Sequence, residues 1–331
     1  MGARWGESVL IGTLFALAAG LTWGLVFIAP LLLPDYPATM QSFGRYVAFG
    51  LIALPLAYFD RAKLAGLSRA DWVEAAKLGL IGNLVYYLFL ASAIQHAGAP
   101  LPTMLIGTLP VVIAIVANGR NRQRDGHLPW RQLVPSLVLI AIGIACVNQV
   151  ELGRLRTDPD ADFGRYLLGA ALTLGAVAAW TWYPIRNADW LRAHPDRQPR
   201  VWATAQGLAT LPLALLGYAV VWLLSALGQA QVEMPFGPQP LRFVTLMLAI
   251  GLLASWLGTV CWNEASQRLP TNLAGQLIVF ETLSALAYAL VLRGAAPSAL
   301  TGIGAALLVA GVVIALQVQP VPLEPKPAAR P

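Results

Sequence analysis

A chain of 331 residues that is 57% hydrophobic and 11% charged, with a mean hydropathy of +0.64, carries less than half of the ~25% of charged residues usual in soluble domains. Lipid must be the solvent for most of it, which excludes an ordinary soluble enzyme or binding module. The net charge of +6 is scattered over short loops and forms no basic stripe, so it points to membrane topology and away from nucleic acid.

In chain order, ten apolar stretches predict membrane-spanning helices at 9–30, 39–58, 72–95, 103–119 and 133–150, then at 166–185, 201–227, 243–264, 273–292 and 299–317. Each runs to about twenty residues, enough at ~1.5 Å of rise per residue to cross ~30 Å of hydrocarbon. They are apolar on every face, whereas barrel strands alternate, so helix is the structure that satisfies their backbone in lipid. At the start, Arg4 and the triplet Ala16-Leu17-Ala18 imitate a signal peptide, but the apolar run continues through Trp23 to Ile28. That is too long for a cleaved segment and predicts a retained helix. Cys146 and Cys261 fall inside apolar spans and read as small hydrophobes, and the proline-rich stretch 319–331 reads as a disordered tail.

Sixteen Lys and Arg residues lie on the side of the N-terminus, against five (Arg154, Arg156, Arg165, Arg242 and Arg293) on the other. The positive-inside rule then puts both termini of this multi-pass inner-membrane protein in the cytoplasm. An internal repeat is also visible. Residues 50–57 read GLIALPLA and 207–214 read GLATLPLA, six identities in eight at an offset of 157 that also superposes Trp23 on Trp180. Past the extra loop at 228–242 the offset becomes 172, matching 78–80 with 250–252 and Gln95 with Gln267.

The predicted fold is therefore an all-α integral membrane protein of ten transmembrane helices in two halves, residues 1–152 and 153–318. Five crossings per half force the second half to enter the bilayer inverted, a plan whose substrate site lies near the midplane between the halves.

The ten-helix count, the five-plus-five repeat, Trp23-Gly24 in the first helix, Leu109-Pro110 in the fourth and Glu281 in the ninth together resemble the drug/metabolite transporter superfamily, EamA type. The resemblance covers essentially the whole chain. Within the superfamily, residues 21–28 and 95–110 look like those of aromatic amino acid exporters. The resemblance implies export of amino acids and related metabolites through a central cavity. Members commonly carry Glu-Pro in the ninth helix, where this chain has Glu281-Thr282. That departure predicts a proline kink at Pro110 in one half alone.

Ionisable groups inside a bilayer are costly and mark candidate sites. Glu281, near the middle of the ninth helix, reads either as a proton-titrating or ammonium-binding carboxylate or as a structural ion pair. Arg45, some seven residues into the second helix, suits a substrate carboxylate, though snorkelling to the interface or pairing with an acid is the favoured reading. Glu264 has an i, i+4 partner in Arg268, and His96 reads as a bystander at the end of the third helix. The stronger substrate signal is aromatic: Trp23, Tyr86, Tyr87, Trp180, Trp182, Tyr183 and Trp256 occur at helix centres, where such rings stack on planar groups and attract ammonium. Ordinary packing accounts for about half of them. Asn83, Thr108 and Gln276 are polar groups that must find partners in lipid. Gly20 and Gly24, four apart, permit close helix approach or a bend, and Pro55 and Pro212, at equivalent places in the second and seventh helices, suggest paired gating bends beside Pro110.

No Walker A run, HExxH, CxxC or nucleophile elbow occurs, so no cofactor or metal is expected. The function read from the sequence is a secondary transporter exporting amino acids, aromatic and other apolar ones preferred, along with related metabolites or cationic drugs, by alternating access. The partners expected are the substrate and the bilayer, with a monomer as the plausible assembly. The rival is a membrane-embedded enzyme acting on a lipid or small metabolite, and a midplane cavity open to one side with aromatic walls separates the two.

Overall fold

The computed structural model describes residues 2–97, 102, 105–120, 129–155, 163–229, 232–294, 296 and 298–318. These residues form ten transmembrane helices in two inverted five-helix halves. We label them α1 (Gly2–Gly24, continuing through a 3-10 turn at Leu25–Phe27 into Ala29–Leu32), α2 (Ala38–Phe59), α3 (Arg69–Lys77, Leu78–Val85 and Tyr86–Ala97), α4 (Leu109–Arg120) and α5 (Trp130–Leu155). The second half supplies α6 (Phe163–Ala193), α7 (Pro199–Ala226), α8 (Pro240–Ile250, Gly251–Leu257 and Gly258–Arg268), α9 (Thr271–Leu277 and Val279–Arg293) and α10 (Ala299–Gln317). Seven of the ten are long and apolar enough by themselves to cross a bilayer, and α4, α5 and α10 give shorter apolar windows. The predicted tail, 319–331, and positions 103 and 104 of the predicted fourth span lie outside the described residues.

Local chemistry sets the helix ends. Ser68 accepts a hydrogen bond from the Asp71 backbone N–H while Asp71 accepts one from the Ser68 backbone, a capping box that opens α3. Ser298 opens α10 by accepting from the Thr301 N–H at 3.2 Å. Proline stands at the start of α7 and α8, where a missing N–H costs nothing. Gly294, at φ 61°, terminates α9.

The pattern of neighbours carries the repeat. α5 packs along α10, α2 along α7 and α4 on the first segment of α9, while α3 packs on α6 and α1 on α8. Exchanging each helix of the first half with its fifth successor returns the same set of pairs. The duplicated motif supplies the α2–α7 crossing. A Cβ on Gly207 would stand 2.8 Å from that of Ala53, and one on Gly50 would run into the Leu211 side chain, so the two counterpart glycines let the backbones meet. Gln95 and Gln267 repeat a job as well. Gln95 donates to the Tyr36 carbonyl at 2.9 Å and accepts from Ala38 N–H at 3.1 Å, tying down the α1–α2 link. Gln267 donates to the Arg197 carbonyl at 3.0 Å, tying down the α6–α7 link.

Both halves also interrupt their helices at matching places. The middle stretches of α3 and α8, Leu78–Val85 and Gly251–Leu257, are π-helical and lie 172 residues apart. The expectation of a proline break in one half alone is corrected here. α4 begins at Leu109 after a turn in which Val111 N–H reaches the Thr108 carbonyl at 3.0 Å, with Pro110 in its first turn. α9 breaks at Ile278, where Glu281 N–H reaches the Ile278 carbonyl at 2.9 Å. The tightened i to i+3 bond at the break serves without a proline. Conversely, α2 and α7 run unbroken through Pro55 and Pro212.

Candidate functional site

At the meeting of the halves lies a cavity lined by Trp23 and Val26 of α1, Arg45 and Tyr46 of α2, Asn83 and Tyr86 of α3, Trp180 of α6, Ala254, Ser255 and Thr259 of α8, and Glu281 of α9. All of these residues are buried. Its free volume is about 10 Å³, of the order of one water molecule. Asn83, Ala254 and Ser255 come from the two π-helical stretches, a backbone form that concentrates at functional sites because it re-aims side chains.

The walls are aromatic. Tyr86 stacks on Trp180 at 4.5 Å and 16°, Trp180 stacks on Tyr183 at 5.1 Å and 3°, and Trp23 meets Trp180 edge-on at 5.0 Å. Trp262 backs Trp23 at 5.2 Å. Sequence counterparts face each other here: Trp23 with Trp180, and Asn83 with Ser255 at the 172-residue offset.

Two charged residues enter this apolar box from opposite halves. Arg45 is 5% exposed and Glu281 2%. The Arg45 Nε donates to Ser255 Oγ at 2.9 Å, and its guanidinium lies 4.9 Å from the Tyr46 ring centre and 4.7 Å from that of Tyr87. Among the described residues, Arg45 Nη1, Glu281 Oε2, Asn83 Nδ2 and the Tyr86 hydroxyl have no hydrogen-bond partner, and no ion pair within 4.0 Å joins Arg45 to Glu281. Leaving a buried polar group unpaired costs about 1–3 kcal/mol, more when it is charged. Four such groups around one cavity are therefore a poor way to stabilise a fold. The favoured sequence reading of Arg45, snorkelling or pairing with an acid, gives way to burial against ring faces, and intramembrane charge was the signal that marked it.

Both ends of the cavity are closed, where the sequence reading expects one open side. Towards the side bearing the N-terminus, a polar latch joins the helix ends. Arg200 reaches Asp60 at 2.6 Å, Arg186 pairs with Glu74, Trp190 donates to Asp71 at 2.8 Å, and Asn187 donates to Asn263 at 2.8 Å. On the other side Tyr36 joins the α1–α2 link to the start of α8 and the loop before it. Its ring stacks on Phe243 at 4.9 Å, and its hydroxyl donates to the Phe236 carbonyl at 3.0 Å and accepts from Gln239 N–H at 2.8 Å.

Of the residues singled out in the sequence, the structure brings Trp23, Asn83, Tyr86, Trp180 and Glu281 together at the cavity. Tyr87 and Tyr183 stand one layer behind, Tyr87 against Arg45 and Tyr183 against Trp180 with its hydroxyl on Gln206 at 3.0 Å. Trp256 donates to Thr204 at 3.3 Å, Thr108 bonds back to the Leu105 carbonyl at 2.6 Å, and Gln276 accepts from Ser136 at 3.1 Å, all away from the cavity. Trp182 lines a separate groove between α4 and α6. Gly20 and Gly24 seat α1 against α9 beside Glu281: a Cβ on Gly20 would stand 3.0 Å from the Glu281 backbone N, and one on Gly24 2.7 Å from Ser284 Cβ. Tyr46, Ser255 and Thr259 were missed. The repeat offset could have found Ser255, as the counterpart of Asn83. The other two sit in apolar runs with nothing to distinguish them.

Known proteins match this architecture. The profile of the EamA-like transporter family matches residues 10–149. The inner membrane protein YtfF of Escherichia coli strain K12 is 53% identical over 312 residues, covering 94% of this chain and 97% of that protein. A solved crystal structure superposes with a TM-score of 0.69 at 18% identity, over 92% of this chain and 96% of its own, which is a likeness of fold. The chain thus belongs to the EamA-like transporter family, as a multi-pass membrane transporter.

Proposed function

We propose that this transporter exports amino acids, aromatic and other apolar ones preferred, from the cytoplasm by alternating access through the central cavity. The observation that carries the reading is Arg45 and Glu281, both buried on one cavity without an ion pair between them, beside stacked indole and phenol rings. An amino acid is a zwitterion with one anionic and one cationic group on a single carbon. The guanidinium fork suits its carboxylate, and the carboxyl of Glu281 with the faces of Trp23, Tyr86 and Trp180 suits its ammonium. Planar side chains gain from the same faces by stacking. A cavity of about 10 Å³ does not hold an amino acid, so the closed form is read as an intermediate between two open ones, with the latch on one side and Tyr36 on the other.

The excess of Lys and Arg on the N-terminal side supports cytoplasmic termini, and the matched glycines and π-helical stretches support halves at 1–152 and 153–318. Glu281 is the coupling candidate, since it is the cavity's acid. The deciding experiment is flux from proteoliposomes loaded with labelled phenylalanine or tryptophan. Protein-dependent release, competed by other apolar amino acids and not by the corresponding simple amines or carboxylates, is the expected result. Release of none of the twenty amino acids overturns the proposal.

A further inference from the structure

The two halves treat one seam differently. Between α1 and α9, Gly20 and Gly24 bring the backbones together, with no room for a Cβ at either position. Their counterparts 157 residues on are Val177 and Thr181 of α6, which face α4. There the seam does not close. It leaves a groove of about 390 Å³ whose floor and walls include Val112, Val116, Leu174 and Ile185. Thr181 Oγ1 lies buried in the wall with no partner among the described residues. At the end of the groove towards the N-terminal side stands Arg120, its side chain about half exposed and 3.6 Å from the Asp189 carboxylate.

From this we infer that the α4–α6 groove is a binding site for one acyl chain of an anionic glycerophospholipid, its phosphate held by Arg120. The groove opens on the perimeter of helices that span a bilayer, and among the described residues its lining is apolar apart from Thr181 and the cation Arg120. From Val112 to Arg120 it runs about 12 Å along the helix. The space is wide enough for a hydrocarbon chain. An ion contact at 3.6 Å engages only part of a guanidinium's five donors, and an Arg at the membrane surface attracts anionic headgroups. The inference does not depend on what the central cavity carries.

Native mass spectrometry of the full-length transporter in mild detergent, titrated with dioleoyl phosphatidylglycerol or phosphatidylcholine, tests it. One phosphatidylglycerol should be retained per chain, in preference to phosphatidylcholine. Arg120→Gln should weaken that binding about five-fold, the weight of one Arg against an anionic headgroup, while leaving phosphatidylcholine binding unchanged. Val177→Trp, or Val116→Trp on the facing wall, should fill the groove and abolish retention of both lipids at an unchanged melting temperature in detergent. Equal binding of the two lipids by wild type, retention surviving both tryptophan variants, or a lipid-free dimer would each overturn the inference.

Discussion

The two halves share a scaffold and differ at the chemistry. Trp23 and Trp180, Asn83 and Ser255, Gly50 and Gly207, and the two π-helical stretches all occupy matched places. The charges do not. Arg45 matches Trp202 at the 157-residue offset, and Glu281 matches Leu109 at 172. A symmetric box therefore holds an unsymmetric pair of charges, each contributed by one half. For a carrier this means that the gates can be alike while the ligand is bound one way round. A zwitterion presented to Arg45 on one side and Glu281 on the other has a fixed orientation, whichever end of the box opens.

The largest expected effect comes from removing that asymmetry. Arg45→Gln and Glu281→Gln should each lower amino acid flux by at least ~30-fold, since truncating one partner of a buried charged contact costs ~2–5 kcal/mol. Radiolabelled flux in proteoliposomes measures it, and near wild-type rates in either variant would return both residues to a structural role. Flux by Glu281→Gln with an unaltered pH profile would reject Glu281 as the coupling group. Next come the seams. Gly24→Leu should destabilise the protein by ~1–3 kcal/mol, as overpacking does, because its Cβ has no space against Ser284. Thr181→Leu, at the matched position beside the α4–α6 groove, should be close to neutral. Comparing the two melting curves in detergent tests the difference, and equal losses would mean that the seams are equally tight.

A smaller effect probes what the halves share. Trp23→Ala and Trp180→Ala should raise the KM for tryptophan by similar factors, about two- to ten-fold, from stacking worth ~0.5–1.5 kcal/mol. A change confined to one of them would show that only one half contacts the substrate ring. The least effect should come from Glu264→Gln. It breaks a partly exposed i, i+4 pair with Arg268 worth ~0.3–0.5 kcal/mol, and thermal melting should resolve a shift of a degree or so at most.

The scaffold was legible in the sequence because lipid imposes it. Twenty-residue apolar stretches and a duplicated GLxxLPLA segment read directly as helices and halves. Glu281 and Trp23 were legible for the same reason, being expensive or bulky groups in places where neither is needed for solubility. Which face each aromatic turned to was not. Trp180 and Trp182 are two residues apart, and one lines the cavity while the other faces the α4 groove. That choice depends on helix rotation, which an all-apolar helix does not record. Arg45 was misread because the sequence has no term for the rings of Tyr46 and Tyr87 that flank its guanidinium. The break in α9 was invisible because it uses backbone hydrogen bonds at Ile278 and no proline.

The π-helical stretches of α3 and α8 make the register of these helices a quantity that single-residue length changes can address. A hydrogen bond reaching five residues back takes up about one residue more than the ordinary turn. Deleting one residue from Leu78–Val85 or Gly251–Leu257 can thus restore a regular helix, fully bonded and still long enough to span. Side chains beyond the deletion, Tyr86 in α3 and Thr259 in α8, would keep their facing, while those inside the stretch, Asn83 in α3 or Ala254 and Ser255 in α8, would be turned relative to the cavity. Such a protein would insert, fold its helices and keep its hydrophobic girth, yet present the wrong wall to its substrate.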